Sequence, residues 1–163
     1  MTVALKVGGD SSLRSGFCFF LQKKNFSSET FSLIGIVTSP NYPNNYPDRL
    51  DNTELVQVEQ GMILSIEFVA FDIDFDPVLC DLNCNCDHLT ITDGDGTILM
   101  SKTCGSSSNG SAIFEGRLIG SSLPPLIISR SNSISIGFKT GSLGSKSGWS
   151  ISWKAVLPGK RKL

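Results

Sequence analysis

Short apolar and polar runs alternate along most of the chain. From Phe31 onward, runs rich in Ile, Val, Phe and Thr recur about every ten residues, separated by Gly, Pro, Asn, Asp and Ser clusters, as in strands joined by turns. In Ser133–Lys139 the apolar side chains fall on one face, and Trp149, Ile151 and Trp153 alternate with polar neighbours in the same way. The predicted strands are residues 32–38, 54–59, 63–71, 88–92, 98–102, 112–117, 126–129, 133–139 and 149–155.

The pattern of apolar positions also predicts the fold class. No segment keeps the i, i+3, i+4, i+7 spacing of an amphipathic helix. Strands that follow one another without helices pair antiparallel, so we predict an all-β sandwich of two antiparallel sheets over residues 31–157. Residues 1–30 are predicted to be an N-terminal extension with one candidate edge strand, and residues 158–163 a basic tail or linker.

Composition narrows the function classes. The chain has 163 residues with 14 basic and 15 acidic side chains, which gives a formal net charge of −1. A protein held on nucleic acid by phosphate contacts would be expected to be strongly basic, so this class is disfavoured. No apolar run approaches the roughly 20 residues of a membrane-spanning helix. We therefore expect a single globular unit that binds no nucleic acid and has no membrane span.

Cysteine and asparagine patterns indicate the compartment. Four of the five cysteines lie between Cys80 and Cys104, and Asn25 and Asn109 each begin an Asn-x-Ser glycosylation sequon. Together these features favour an oxidising, extracellular location. The first ten residues contain no apolar segment of the kind a signal peptide needs. We therefore expect the chain to be a fragment of a longer secreted protein, or to lack its true start.

Five motifs occur along the chain in one order. They are Ser39-Pro40-Asn41-Tyr42-Pro43-Asn44-Asn45-Tyr46-Pro47; Phe68-x-x-Phe71-Asp72-Ile73-Asp74; Cys84-x-x-Asp87-x-Leu89-x-Ile91-x-Asp93-Gly94 with Cys104-Gly105; Ser131-Asn132-Ser133-Ile134-x-Ile136-x-Phe138-Lys139-Thr140; and Gly148-Trp149-Ser150-Ile151-Ser152-Trp153. In this order they resemble the CUB domain, the extracellular module of complement proteases, tolloid-type metalloproteases, cubilin and spermadhesins. The resemblance covers about residues 31–157 and implies a jelly-roll-like sandwich that works through loops at one end.

The resemblance also implies a calcium ion at that end, held by three acidic residues. Two of these positions are Asp74 and Asp87, whereas the third is Gly141. Tyr46 stands where a tyrosine supports the first carboxylate. Nearby carboxylates could substitute for the missing ligand: Asp72, Asp76 and Asp81. Calcium prefers six to eight oxygen ligands, so a calcium site and a solvated acidic loop both stay open.

The resemblance implies one disulfide, between Cys84 and Cys104. Cys18, Cys80 and Cys86 then remain, which is an odd number. Either Cys80–Cys86 or Cys18–Cys80 is compatible with the sequence.

Two more specific functions, zinc binding and catalysis, receive less support. Zinc is commonly bound by cysteine and histidine side chains, and four of these lie close together in Cys80, Cys84, Cys86 and His88. Zinc sites, however, usually pair two short clusters across a longer gap. His88 is the only histidine that could act as a base, and no Gly-x-Ser-x-Gly nucleophile motif occurs. We predict that the chain is not an enzyme.

The combined prediction is a non-enzymatic extracellular recognition module that binds a protein partner. Asp74 and Asp87 would pair through calcium with a lysine or arginine of that partner, an electrostatic contact sensitive to salt and chelator. Two alternatives stay open. One is a glycan-binding module of the spermadhesin kind, and the other is an accessory domain of a larger secreted protease.

Overall fold

The computed structural model describes residues 33–142 and 145–159. Ten strands occur in these ranges: β1 Ile34–Thr38, β2 Asp51–Gln57, β3 Ile63–Asp72, β4 His88–Asp93, β5 Ile98–Thr103, β6 Ala112–Phe114, β7 Arg117–Gly120, β8 Ile127–Ile128, β9 Ser133–Lys139 and β10 Gly148–Val156. Within the same ranges there is no helix with the length and apolar character that a membrane crossing requires. The predicted N-terminal extension and residues 160–163 lie outside the described residues.

The strands form two four-stranded antiparallel sheets and one hairpin. The first sheet has the order β1-β10-β3-β8, the second has the order β2-β9-β4-β5, and β6 pairs with β7. In β9 the apolar residues Ile134, Ile136 and Phe138 are buried while their neighbours are more exposed, as the period-two pattern predicts. The predicted all-β sandwich is confirmed.

One core joins the two sheets. Leu64 and Ile66 from β3, Ile134 from β9 and Trp149 from β10 are fully buried in a single cluster. Burying an aliphatic or aromatic side chain of this size stabilises a fold by about 1.5–3 kcal/mol. The loops at each end therefore extend from strands that are anchored in one core.

The predicted strand over residues 112–117 is wrong in one respect. The chain turns back at Glu115 and Gly116, so that β6 and β7 form a hairpin. Both turn residues have positive φ values, 48° and 75°, as a tight two-residue hairpin turn requires. Glu115 seldom adopts this conformation, which explains why the pattern of apolar residues gave no sign of a turn there.

Candidate functional site

Loops from both sheets meet at one end of the sandwich. Asp74 follows β3 of the first sheet, whereas Asp87 precedes β4 and Gly141 follows β9 of the second sheet. Tyr46 comes from the Pro-rich segment between β1 and β2. The side chain or backbone of each residue contacts another of the four. We call these four residues and their loops the acidic end.

The Tyr46 hydroxyl is the centre of the acidic end. It donates a hydrogen bond to Asp87 Oδ2 at 2.7 Å and accepts one from the Asp74 N–H at 2.8 Å. The ring is buried and packs edge-to-face on Phe138, with ring centroids 5.0 Å apart. Burial raises the pKa of the Tyr46 hydroxyl well above its ordinary value, so it stays a proton donor. One phenol therefore ties three loops together.

The backbone of Tyr46 is held as well. Its N–H donates to the Lys146 carbonyl at 3.0 Å, and its carbonyl accepts from Ser145 Oγ at 2.9 Å. These contacts bind the loop before β10 to the Pro-rich segment. Lys146 is thereby placed beside the carboxylates.

Asp87 is a buried carboxylate with little opposing charge. It is 1% exposed, and its Oδ1 accepts a hydrogen bond from the Gly141 N–H at 2.6 Å. Burial raises the pKa of Asp87, and the negative charges of Asp74 and Asp48 raise it further, against the hydrogen bonds from Gly141 and Tyr46. Asp87 therefore lies beneath the surface of the acidic end, with one hydrogen bond to each carboxylate oxygen.

Asp74 is the carboxylate of the pair that reaches solvent. Its side chain is 27% exposed, and Lys146 Nζ lies 4.0 Å from its Oδ1. An exposed pair of this kind stabilises a fold by about 0–1 kcal/mol. The ion pair with Lys146 therefore neutralises the charge of Asp74 only weakly.

The Asp72 carboxylate is engaged in hydrogen bonds within the fold. Its Oδ2 accepts hydrogen bonds from Ser147 N at 3.2 Å and Ser147 Oγ at 2.7 Å. Burial acts to raise the pKa of Asp72, but hydrogen bonds from Ser147 and Ser106 and the charge of Lys146 hold it below its usual value. Asp72 thus anchors the loop that carries Lys146.

The donor set of the acidic end falls short of a calcium site. Within the described residues, no three His, Cys, Asp or Glu side chains converge on one point. Asp76 Oδ1 and Asp81 Oδ1 accept hydrogen bonds from N–H groups of their own loop, which orient both carboxylates within that loop. Gly141 offers Asp87 an N–H where a third carboxylate is needed. Asp74 and Asp87 alone do not fit an ion that prefers six to eight oxygen ligands.

Two disulfides hold the loop between β3 and β4. Cys84 is joined to Cys104 and Cys80 to Cys86. Disulfide sulfurs are not thiolate ligands, so the zinc interpretation of this cluster is wrong. The Nδ1 atom of His88 lies 3.0 Å from the Cys86 carbonyl, and burial lowers the pKa of this imidazole. Of the two pairings that the sequence left open, the structure has Cys80–Cys86.

Only some of the other sequence features fall on described residues. Cys18 and the sequon at Asn25 lie outside them. Asn109 is exposed between β5 and β6, and its Oδ1 accepts hydrogen bonds from Ser111 N at 3.1 Å and Ser111 Oγ at 2.6 Å. Glycosylation of Asn109 stays a prediction.

Asp93 is an important residue that the sequence analysis named only as part of a family motif. It ends β4 at the opposite end of the sandwich and is 3% exposed. Its carboxylate accepts hydrogen bonds from Arg130 N at 2.5 Å, Ser131 N at 3.1 Å and Gly94 N at 2.8 Å, and also from Ser131 Oγ. An acidic residue before glycine marks a turn, but no local signal reveals partners so distant in sequence.

A two-sheet sandwich with its polar site on loops at one end defines a modular β-domain. The family model of the CUB domain matches residues 27–153 of this chain. The chain therefore belongs to the CUB domain family, and the resemblance inferred from the sequence motifs is confirmed.

The chain is similar to modules of larger extracellular proteins. It is 33% identical over 122 residues to cubilin of Rattus norvegicus, which is 75% of this chain but 3% of cubilin. A crystal structure of the MASP-1 CUB2 domain bound to Ca²⁺ shares 27% identity with a TM-score of 0.58, covering 74% of this chain and 90% of that one. The full extracellular region of zebrafish Gpr126/Adgrg6 shares 25% identity with a TM-score of 0.55, covering 76% of this chain and 14% of that one.

Proposed function

We propose that this chain is an extracellular recognition module that binds a protein partner through the acidic end. Asp74 receives a lysine or arginine side chain of the partner. The observation that carries this proposal is the combination of a buried Asp87 with a reachable Asp74, joined through the Tyr46 hydroxyl. Two carboxylates face one weakly held lysine, so the site retains attraction for a second cation.

The two carboxylates have different tasks in this proposal. Asp87 is too deeply buried to touch a partner, but it fixes the Tyr46 hydroxyl, which in turn accepts from the backbone of Asp74. The backbone of Asp74 is thereby held in place before the partner arrives. Preorganisation of this kind reduces the conformational entropy lost on binding.

Lys146 forms an ion pair with Asp74 that a partner's cation can displace. Its side chain is 44% exposed and its contact with Asp74 Oδ1 is long, at 4.0 Å. The ammonium group can move into water when a partner's cation approaches, at a cost of about 0–1 kcal/mol for the broken surface pair. Binding should therefore weaken as salt concentration rises.

The acidic end is proposed to work without resident calcium. The MASP-1 CUB2 domain has been solved with Ca²⁺. In the present chain, Gly141 supplies no carboxylate, and Lys146 already places one positive charge beside Asp74. A direct ion pair between Asp74 and the partner is the contact that this donor set supports.

Two further observations support the location and the absence of catalysis in this proposal. Disulfides such as Cys84–Cys104 and Cys80–Cys86 persist in oxidising compartments, which favours an extracellular site of action. His88 is 8% exposed and its ring nitrogen contacts a backbone carbonyl, so the imidazole is poorly placed to act as a base on a substrate.

A titration with tetralysine, followed by amide chemical shifts in NMR, tests the proposal. We expect the largest shifts at Asp74, Asp87 and Gly141, and we expect Asp74→Asn to weaken binding about fivefold, or ~1 kcal/mol. Asp95→Asn is the matched control, because Asp95 is an exposed aspartate in the turn at the other end of β4. Equal binding by the two variants would refute the proposal. A chelator should leave the affinity unchanged, and a chelator-sensitive affinity would show that calcium takes part.

A further inference from the structure

The loop that joins the two aspartates of the acidic end exposes three aliphatic side chains. Val78 is 87% exposed, Leu79 70% and Leu82 53%. All three belong to the segment 75–86 between β3 and β4, which we call the aliphatic loop. Phe75 packs against the core, so the fold buries one apolar residue of this loop and leaves three at the surface. Clustered apolar side chains at the surface of a folded domain usually mark an interaction site.

The aliphatic loop begins and ends at the Tyr46 hydroxyl. The Asp74 N–H, just before the loop, donates to this oxygen at 2.8 Å, and the hydroxyl donates to Asp87 Oδ2, just after the loop, at 2.7 Å. Leu79 is five residues from Asp74, and five residues span at most roughly 18 Å. The exposed leucine is therefore close to the carboxylate that the proposed function assigns to a partner's cation.

The aliphatic loop is held in one shape. The Cys80–Cys86 disulfide closes it, and Cys80 N donates to the Asp76 carbonyl at 2.8 Å. Asp76 Oδ1 accepts hydrogen bonds from Val78 N at 2.7 Å and Leu79 N at 3.1 Å. These two exposed side chains are therefore presented on a constrained backbone, so that little backbone entropy remains to be lost when they bind.

The charge of the same surface is negative. Residues 74–87 include four aspartates and no lysine or arginine. Two lysines approach from other segments: Lys146 Nζ lies 4.0 Å from Asp74 Oδ1, and Lys102 Nζ donates to Asn85 Oδ1 at 3.1 Å. Because the aspartates outnumber these lysines, the surface favours a partner that presents basic and apolar side chains together. An acidic partner segment or an anionic lipid surface is disfavoured for the same reason.

We propose that the partner segment bound at the acidic end carries a large apolar side chain two or three residues from its lysine or arginine, and that this side chain packs on Val78 and Leu79. The inference rests on the proposed function, because Asp74 receives the basic residue. Two or three residues of an extended segment span about 7–10 Å, which is within the limit set for Asp74 and Leu79. The aliphatic loop thus selects basic segments that have an apolar neighbour over basic segments that lack one.

Two peptides of equal charge test this inference. Both are acetylated and amidated, and their sequences are Leu-Gly-Lys-Lys-Gly-Leu and Ser-Gly-Lys-Lys-Gly-Ser. Titration of the whole chain, followed by amide and methyl chemical shifts in NMR, gives the affinity for each peptide. We expect the leucine peptide to bind about fivefold more tightly, with its additional shifts at the methyl groups of Val78 and Leu79.

Replacing two aliphatic residues tests whether the loop is the source of this preference. Val78→Ser combined with Leu79→Ser should reduce the preference to less than about twofold. The preference is a ratio measured within each protein, so a general loss of binding does not imitate this effect. Leu55→Ser is the matched control and should keep the full preference, because Leu55 is a comparably exposed leucine (62%) on β2 of the other sheet.

Asp74→Asn separates this inference from the proposed function, since it should weaken both peptides by a similar factor. If the wild-type chain binds the two peptides equally while Asp74→Asn weakens both, the proposed function stands and this inference alone fails. If Asp74→Asn weakens neither peptide, the proposed function fails and the inference fails with it. A leucine preference that the double variant retains would place the apolar contact elsewhere and overturn the inference. Phosphatidylcholine vesicles that bind the wild-type chain but not the double variant, without any leucine preference, would assign the loop to a lipid surface and overturn it as well.

Discussion

Strand β4 has a buried aspartate at each end, and the two are used differently. Asp93 is 3% exposed and accepts hydrogen bonds from three backbone N–H groups and one hydroxyl. Asp87 is 1% exposed, accepts from Tyr46 and Gly141, and has other carboxylates nearby. The donors around Asp93 join the β4–β5 turn to the segment before β9, which makes this carboxylate a structural link.

Under the proposed function, the same residue type serves the fold at one end and a binding site at the other. Four donors compensate Asp93 for the water it loses on burial. Asp87 has two donors and lies near Asp74 and Asp48, and in the proposed function the carboxylates of this end attract an external cation. In the proposed function, what distinguishes the acidic end from the Asp93 end is its smaller number of hydrogen-bond donors and its neighbouring carboxylates, because both aspartates are buried.

The largest expected effect is on the Asp93 side. Asp93→Ala should lower the free energy of unfolding by about 3 kcal/mol, because it leaves several N–H groups without an acceptor. Urea unfolding measures the loss. Asp95→Ala, two residues further along and exposed, should cost much less. Equal losses for the two variants would contradict the structural role assigned to Asp93.

Removing the Tyr46 hydroxyl tests the acidic end. Tyr46→Phe should lower the free energy of unfolding by about 2 kcal/mol, since it removes a hydrogen bond to the Asp87 carboxylate and the acceptor for the Asp74 N–H. Tyr42→Phe, at the other tyrosine, should stay within about 0.5 kcal/mol. A double-mutant cycle with Asp87→Asn should show coupling, and strictly additive losses would mean that the phenol and the carboxylate act independently.

Adding a third carboxylate tests the proposal that the acidic end works without resident calcium. A Cβ at Gly141 would lie 3.4 Å from Asp87 Oδ1, so Gly141→Asp places a carboxylate beside the existing pair. Calcium at ten times its dissociation constant should then stabilise the variant by about 1.4 kcal/mol. Thermal unfolding with calcium and with chelator measures the shift. Gly141→Asn controls for shape, and an equal calcium shift in the wild-type chain would show that the two carboxylates already suffice.

The fold was largely predictable because a strand with one buried face has alternating apolar and polar residues, a period of two that the sequence shows directly. β9 has the predicted bounds, Ser133–Lys139, and its three buried residues are the three apolar ones. The hairpin turn at Glu115 was missed because an unusual backbone conformation there does not follow from residue type. The choice of Cys80–Cys86 depends on how the loop folds back, which spacing alone leaves open.

The acidic end was predictable in its members but not in their roles. The resemblance carried by the motifs predicted that Tyr46, Asp74 and Asp87 lie at one end of the sandwich. They could not show that Asp87 is buried, or that Lys146 lies beside Asp74, because these contacts join loops that are far apart in sequence. Contacts of this kind depend on packing of the two sheets, and no local pattern records them.

The smallest expected effect is a dependence of stability on pH, with opposite signs for two carboxylates of the acidic end. The pKa of Asp87 is raised in the folded state, so the folded chain holds a proton there more tightly than the unfolded chain. Its contribution to stability is therefore fully present below the unfolded pKa, about 3.9, and is lost as pH rises through the folded pKa. Relative to Asp87→Asn, the wild-type chain should lose stability as pH rises through this window.

Asp72 supplies the internal control for this measurement. Its pKa is lowered in the folded state, so its contribution is present above the unfolded pKa and is lost as pH falls through the folded pKa. Relative to Asp72→Asn, the wild-type chain should therefore gain stability as pH rises. Thermal unfolding of the three proteins from about pH 3 to about pH 7 compares the two slopes. Slopes of the same sign would mean that Asp87 is neutralised as fully as Asp72, and the excess negative charge assigned to the acidic end would then be absent.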